Sequence, residues 1–342
     1  MSTVSVIVPT LNRRDLLREA VESALHQSHS PMEVIVVDDG SEPQVDAEDF
    51  GPESGRVVRY LRNERPQGLA WARHQGVEAA RGDYVVHLDD DDLFSKNLIE
   101  ECAATLDGDP SIELVFIGAE GFGRAASHFN RVHPAGTARV IEQGGGTVGR
   151  DGVYLFGSDL IHGLLNQVPM PFQRVMVRRD VWHKVSRLRL AAYQTALGLE
   201  SPEAARDRVR GTLRDSEWAL YSALACRKTA LIDRPLYLQR CDGQGSSSQA
   251  TMRQKHIHQG IEIRTVLAQA SDHHPELRAF RQEIVKNLAG SHFDAAYELI
   301  GLGQYTQALR HLGLNFRLGP NFKVVKLLLK LGATWLSPKR AP

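Results

Sequence analysis

The sequence predicts an α/β fold, a largely parallel sheet covered by helices, with a helical extension towards its C-terminal end. Two observations carry this. Short apolar runs rich in Val and Ile alternate with helix-period segments over residues 1–120, and beyond the Ser- and Gly-rich stretch 243–250 the chain looks helical throughout. The runs VSVIV (4–8), EVIVV (33–37), VVRYL (57–61), YVVHL (84–88) and ELVFI (113–117) are too uniformly apolar for an exposed antiparallel edge, so all five are expected in one buried sheet. Between the first two, Leu16, Leu17, Ala20, Val21, Ala24 and Leu25 recur at helical spacing behind Asp15, whose charge suits a first helical turn. The same periodicity predicts helices near 69–80 and 96–106, the second stopping in the turn-forming DGDP.

From 120 to 160 the chain is rich in Gly, His and polar residues, including EQGGGTVGRDG, and a long loop or hairpin is expected there. Order returns with a helix at 159–167, a strand at 173–177, a helix after Arg179, a helix from Asp215 to Cys226, and strands near 229–232 and 236–240. Four parts follow: 1–120, 121–242, a linker at 243–250 and a helical extension at 251–342.

Lys and Arg number 41 and Asp and Glu also 41 in 342 residues, so no basic excess points to nucleic acid. Three cysteines, Cys102, Cys226 and Cys241, lie far apart without metal-ligand spacing, which suggests neither a disulfide framework nor a zinc site. No apolar stretch approaches the ~20 residues that span a bilayer, and MSTVSVIVPT enters a strand pattern without a charged leader. A cytoplasmic protein is expected.

The chemistry concentrates in HLDDDD (87–92), four acids directly after an apolar strand. Open α/β sheets bind ligands at the carboxyl ends of their strands, which favours a cation site over a merely solvated acid run. Alternate residues of an extended segment face one way, so Asp89 and Asp91 are expected to offer oxygens to Mg²⁺ or Mn²⁺ while Asp90 and Asp92 point elsewhere. A cation so held suits a diphosphate leaving group. A second strand ends in DDGS (38–41). By itself that is an ordinary turn. With both acidic ends converging on one crevice, Asp39 is expected to accept a hydrogen bond from a nucleobase, supported by Asp38.

The runs VSVIVPTLNR (4–13), EVIVVDDGS (33–41) and GLAWARHQGVEAARGDYVVHLDDDDLF (68–94) closely resemble the donor-binding half of family 2 glycosyltransferases, strongly over about residues 3–120 and weakly to about 240. The resemblance implies the GT-A fold, a Rossmann-like mixed sheet flanked by helices, with 1–120 binding a nucleotide-diphosphate sugar and 121–242 serving the acceptor. It implies an inverting transfer, a UDP-sugar donor ahead of GDP- or dTDP-sugars, a saccharide or lipid-linked acceptor, and a place in cell-surface polysaccharide, glycolipid or glycoconjugate synthesis. The nucleotide-binding set it implies is Pro9, Thr10, Asn12, Asp38, Asp39, Arg73 and Asp90, with Asp89 and Asp91 on the metal. His74 stands where the family usually has Asn.

An inverting transfer also needs a general base for the acceptor hydroxyl. RDSEWALYSALA (214–225) resembles the start of the family's base-bearing helix, which implies Asp215 first and Glu217 as the alternative; an acidic helix start stabilised by the dipole is the competing explanation. In QRVMVRR (173–179), Arg178 or Arg179 is weighed as a phosphate contact against a plain basic turn. The segment 187–211 is longer than the usual link, and either shapes the acceptor site or forms a surface helix. In NFKVVKLLLKLGATWL (321–336), Lys323, Lys326 and Lys330 line one side of an apolar helix, which suggests peripheral contact with an anionic membrane face, against docking on the protein itself. The competing functions are an inactive nucleotide- or sugar-binding module of this fold and a sugar-phosphate nucleotidyltransferase. The latter should carry a Gly-rich phosphate loop after the first strand, and PTLNRRD is not one.

Overall fold

The computed structural model describes residues 2–29, 32–45, 50, 58–166, 174–209, 215–242, 250–319 and 327. For Met32, Asn166, Asp215, Ser216 and residues 250–259 it describes the backbone alone. Two compact units emerge, Met1–Ser246 and Ser247–Pro342.

In the first unit the elements run β1 (Val4–Thr10), α1 (Arg14–Leu25), β2 (Met32–Asp38), β3 (Val58–Arg62), α2 (Leu69–Ala79), β4 (Tyr84–His87), β5 (Leu93–Phe94), α3 (Leu98–Gly108) and β6 (Leu114–Phe122). They continue with α4 (Ala126–Gln143), β7 (Thr147–Val148), β8 (Tyr154–Phe156), α5 (Leu160–Asn166), β9 (Val175–Arg178), α6 (Arg179–Leu197), α7 (Pro202–Val209), α8 (Asp215–Ala225) and β10 (Thr229–Arg240). The sheet order is β3-β2-β1-β4-β9-β6-β10-β8-β7, with β5 on β10. β1 to β4 are parallel, β9 runs antiparallel between β4 and β6, and β10 returns parallel to β6. The mixed α/β sheet expected from the sequence is therefore present, and the five apolar runs all lie in it.

Burial explains the apolar runs. Val6, Val8, Val34, Val36, Val86, Val115 and Ile117 share one core with Leu17, Val21, Leu98, Ile99 and Leu106 from α1 and α3. One run departs from expectation: β3 is the sheet edge, paired only with β2 and half-buried along its length. The two strands expected near 229–232 and 236–240 are one long strand whose register on β6 shifts between Ile232 and Tyr237.

The loop expected at 120–160 is in large part α4. Pro134 and Gly136 interrupt its pattern, and yet Phe129, His133, Thr137 and Val140 fall at helical spacing and are buried. The Gly-rich remainder forms the β7–β8 hairpin, as that composition predicts. The 187–211 segment lengthens α6 and adds α7. α6 ends at Gly198, whose left-handed φ of 60° is a common helix stop.

The second unit contains α9 (Ala250–Ala270), α10 (Pro275–Arg278), α11 (Arg281–Gly301) and α12 (Tyr305–Leu318). Ala296, Leu299, Ala308, Leu312 and Leu327 form its small core. Apart from Leu327, the lysine-bearing tail 321–336 lies outside the described residues, as does the linker stretch 243–249. No described helix is long and apolar enough to cross a membrane.

Candidate active site

The register of the parallel strands brings the two acidic ends together. Thr10 closing β1 is level with Asp38 closing β2, and β4 ends at His87 beside Ile7, so the four acids emerge next to the end of β1. Thr10 donates its hydroxyl to Asp90 Oδ2 at 2.8 Å, tying the two strand ends.

The acids do not continue as a strand. Asp92 N donates to Asp89 O at 3.1 Å, closing a tight turn before β5, which is anchored by pairing with Tyr237 and Leu238 of β10. The four side chains differ in exposure within the turn. The side chains of Asp89 and Asp91 are 30% and 21% exposed, while those of Asp90 and Asp92 are 9% and 5%. Asp90 faces Thr10 and Arg13 Nη1, the latter at 3.1 Å, and Asp92 accepts from Arg240 N at 2.8 Å.

Three guanidinium groups face these four carboxylates. Arg73 Nη2 donates to Asp89 Oδ1 at 2.6 Å, Arg13 Nη1 to Asp91 Oδ2 at 2.9 Å, and Arg174 Nη2 lies 3.9 Å from Asp92 Oδ2. Burial alone would raise Asp89, but Arg73 and Arg174 outweigh it and hold the carboxyl low. Burial wins for the two inward acids, pushing Asp90 up to about 6 and Asp92 up to about 7. Asp91 is also raised, by burial and then by the charge of Asp89. The two more exposed members of the crevice, Asp89 and Asp91, are hard oxygen donors. That set fits a divalent cation. Among the described residues no three His, Cys, Asp or Glu side chains converge to enclose a metal unaided.

The DDGS turn is a joint between loops. Asp38 is fully buried and accepts from Ser41 N at 2.8 Å, Tyr60 Oη at 2.7 Å and Arg62 Nη1 at 2.5 Å. Burial pulls its pKa upward, but the hydrogen bonds from Ser41 and Tyr60 and the charge of Arg62 hold it below the usual range. Asp39 accepts from Asn63 Nδ2 at 2.8 Å, Gln67 N at 2.9 Å and Gly68 N at 2.7 Å. A carboxylate has about four acceptor positions, so these three bonds leave about one. Asn12 holds the other rim: its N donates to Ser41 Oγ at 2.9 Å and its Oδ1 accepts from Glu42 N at 2.8 Å. It does so at a φ of 57°, a conformation Asn tolerates better than most residues. Pro9 is buried within β1, opposite Val37.

Sequence reasoning passed over Arg13, Tyr60, Arg62, Asn63, Tyr237 and Arg174. Arg13 stands inside the VSVIVPTLNR run, where a basic residue facing the acids would have been a usable signal. The choice of Arg178 or Arg179 near phosphate is corrected by strand direction. β9 is antiparallel to β4, so its start and not its end faces the acids. Arg178 donates to Leu106 O and Ile112 O, and Arg179 to Ala80 O, at the opposite end of the sheet. Arg174, at the start, lies over the Tyr237 ring 4.8 Å from its centroid, and Tyr237 Oη in turn accepts from Asp89 N.

Asp215 opens α8, and its side chain lies outside the described residues. Glu217 has no exposed surface and pairs with Arg189 of α6 at 2.9 Å. As it stands, that carboxylate ties two helices together and does not meet solvent. His74 is half-buried, 3.9 Å from Glu78, and burial lowers its pKa.

Residues 5–152, which contain both acidic strand ends, match the family model Glycosyl transferase family 2. The chain carries a family 2 glycosyltransferase domain. Among its relatives, a putative teichuronic acid biosynthesis glycosyltransferase, TuaG of Bacillus subtilis, is 40% identical over 102 residues, 29% of this chain and 39% of that one. An uncharacterized glycosyltransferase of Haemophilus influenzae is 34% identical over 113 residues, 33% of this chain and 37% of that one. The matched stretches span less than half the length of the curated relatives. The fold resembles that of S. aureus TarS 1–349 over 93% of this chain and 81% of that one, with a TM-score of 0.57 at 18% identity.

Proposed function

We propose that this family 2 glycosyltransferase transfers a sugar from a nucleotide-diphosphate donor to an acceptor hydroxyl with inversion, assisted by a divalent cation. The observation that carries the reading is the pairing of two partly exposed carboxylates, Asp89 and Asp91, with the DDGS turn at the neighbouring strand end. Residues 1–120 serve the donor and 121–242 the acceptor. Asp39 offers its remaining acceptor position to the base, while Asn12, Thr10, Pro9 and Asp38 shape the cleft it occupies. Mg²⁺ or Mn²⁺ on Asp89 and Asp91 would supply positive charge against the diphosphate as it leaves. Arg73 keeps Asp89 ionised for that role, and Asp90 holds the turn against β1. Asp215 is the base: it accepts the acceptor proton as the hydroxyl attacks the anomeric carbon. The packing of Glu217 against Arg189 favours this choice of the two.

TarS structures hold UDP and UDP-GlcNAc, which makes a UDP-sugar the first donor to try. Cell-surface glycan synthesis and peripheral membrane contact by the lysine-bearing tail belong to the same proposal. The deciding experiment is calorimetric titration with UDP, GDP and dTDP, each with Mn²⁺ and with chelator, on the parent and on an Asp89→Ala, Asp91→Ala variant. Metal-dependent binding of one nucleotide, lost in the variant, is expected. Absence of binding under every condition would leave a degenerate module of this fold.

A further inference from the structure

Three of the four tryptophans of the chain, Trp71, Trp182 and Trp218, line one pocket on a face of the first unit. Its walls come from α2, α6, α7 and α8, so the long 187–211 segment contributes directly, through Arg187, Arg189 and Arg206. The pocket adjoins the candidate active site by three routes. Trp182 packs against His87, two residues before Asp89, at 4.7 Å between ring centroids. His74 in the wall is the neighbour of Arg73, which binds Asp89. Trp218 stands three residues, or one helical turn, beyond Asp215 on α8.

The lining has a definite chemistry. Trp182 and Trp218 stack at 4.8 Å and are each only 5% exposed, forming a buried aromatic floor, while the half-buried Trp71 of α2 lines the same pocket. The part-exposed indole of Trp71 suits the apolar face of a pyranose ring. The buried Nε1 donors of both stacked tryptophans have no hydrogen-bond partner among the described residues. Of the three arginines, Arg189 is neutralised by Glu217. Arg187 and Arg206 are exposed and form no ion pair among the described residues. Glu78 is the single acid among the described lining residues, and His183 lies 3.5 Å from it. Two guanidinium groups against one carboxylate leave a positive excess in a chain that is neutral overall. Guanidinium groups recognise phosphate and carboxylate by paired hydrogen bonds.

We propose that this pocket is the acceptor subsite and that the acceptor is a saccharide bearing an anionic group, phosphate or carboxylate. The sugar ring rests on Trp71 above the buried Trp182–Trp218 pair, and Arg187 and Arg206 hold the anion. This rests on the glycosyltransferase reading above, with Asp215 one turn away to take the proton of the attacking hydroxyl.

The test is tryptophan fluorescence and saturation-transfer NMR on the full chain with glucose 6-phosphate, glucuronic acid, glucose and inorganic phosphate as probes. At least one anionic sugar is expected to quench and to receive saturation at its ring protons, with glucose and phosphate binding about tenfold more weakly or worse. The choice between the two anionic sugars identifies phosphate or carboxylate. In an Arg187→Ala, Arg206→Ala variant the preferred sugar should weaken about tenfold while UDP affinity stays unchanged. Equal binding of charged and neutral sugars, no binding at tens of millimolar, or an unaffected variant overturns the proposal. If nucleotide binds normally and sugars do not, the pocket assignment fails alone. If anionic sugar binds but no nucleotide does under any condition, glycosyl transfer fails and the pocket is no acceptor subsite.

Discussion

Arg73 on α2 donates to Asp89 beyond β4 at 2.6 Å, tying the helix to the more exposed of the two outward acids. Burial pushes Asp89 upward, and the charges of Arg73 and then Arg174 reverse it. An Arg73→Ala variant should therefore raise the Asp89 pKa and move the acid limb of metal-dependent nucleotide binding to higher pH. Over about pH 6 to 8 the parent profile already carries the titration of Asp90 and Asp92, at about 6 and about 7, and the variant profile should be displaced to higher pH relative to it. Calorimetry with Mn²⁺ across that range checks it; superimposed profiles would sink the idea.

Asp92 gives the opposite sign. Burial raises its folded-state pKa to about 7, against about 3.9 for an unfolded Asp. Between those values the native state keeps a proton that the unfolded chain has released, so stability falls as pH rises. The contribution is complete below about pH 4 and gone above about pH 7. Asp92→Asn keeps an oxygen for Arg240 N and removes the charge. In chelator it should match the parent at pH 4 and exceed it at pH 8 by on the order of 1 kcal/mol. Urea unfolding at the two pH values measures this, and an equal deficit at both would refute it.

Gly76 shows how packing beneath the site positions it. A Cβ there would meet Ile7 Cγ2 of β1 at 2.3 Å, so α2 lies against the sheet only because the position lacks a side chain. Gly76→Ala should cost about 1–3 kcal/mol by overpacking, and it should weaken nucleotide binding by shifting Arg73 one turn away. Gly108→Ala, where a Cβ meets nothing within 4 Å, should stay within about 0.5 kcal/mol of the parent. Equal melting curves for both variants would show that the close approach is not needed.

The α/β frame was legible because strands buried on both faces, such as 4–8 and 33–37, must be continuously apolar, and this leaves a signal in one sequence. The acids were legible for a related reason, since they stand where those runs stop. What stayed hidden depends on direction and partnership. Arg174 faces the acids and Arg178 does not, because β9 runs antiparallel, and nothing in QRVMVRR states the direction. Arg13 is one basic residue in a polar turn until Asp90 and Asp91 are folded beside it. α4 was missed because Pro134 and Gly136 outweigh its buried stripe when propensity is read locally. The composition of 187–211 suits a surface helix and a site wall equally, and only the tertiary arrangement brings Arg187 and Arg206 into one pocket with three tryptophans.

The last prediction separates the two acids of α8. Glu217 is buried against Arg189 at 2.9 Å, and its Oε1 has no hydrogen-bond partner among the described residues. Replacing one partner of such a pair strands the other charge in the interior, so Glu217→Ala should cost about 3–5 kcal/mol in urea unfolding. Asp215 begins the helix, and Asp215→Asn should leave the unfolding midpoint and nucleotide affinity nearly unchanged. If it is the base, turnover should fall by about 10²–10⁴-fold at constant donor affinity. Loss of stability without a specific loss of turnover in Asp215→Asn would make that residue structural. Full turnover in the same variant would move proton abstraction to another carboxylate of the acceptor half.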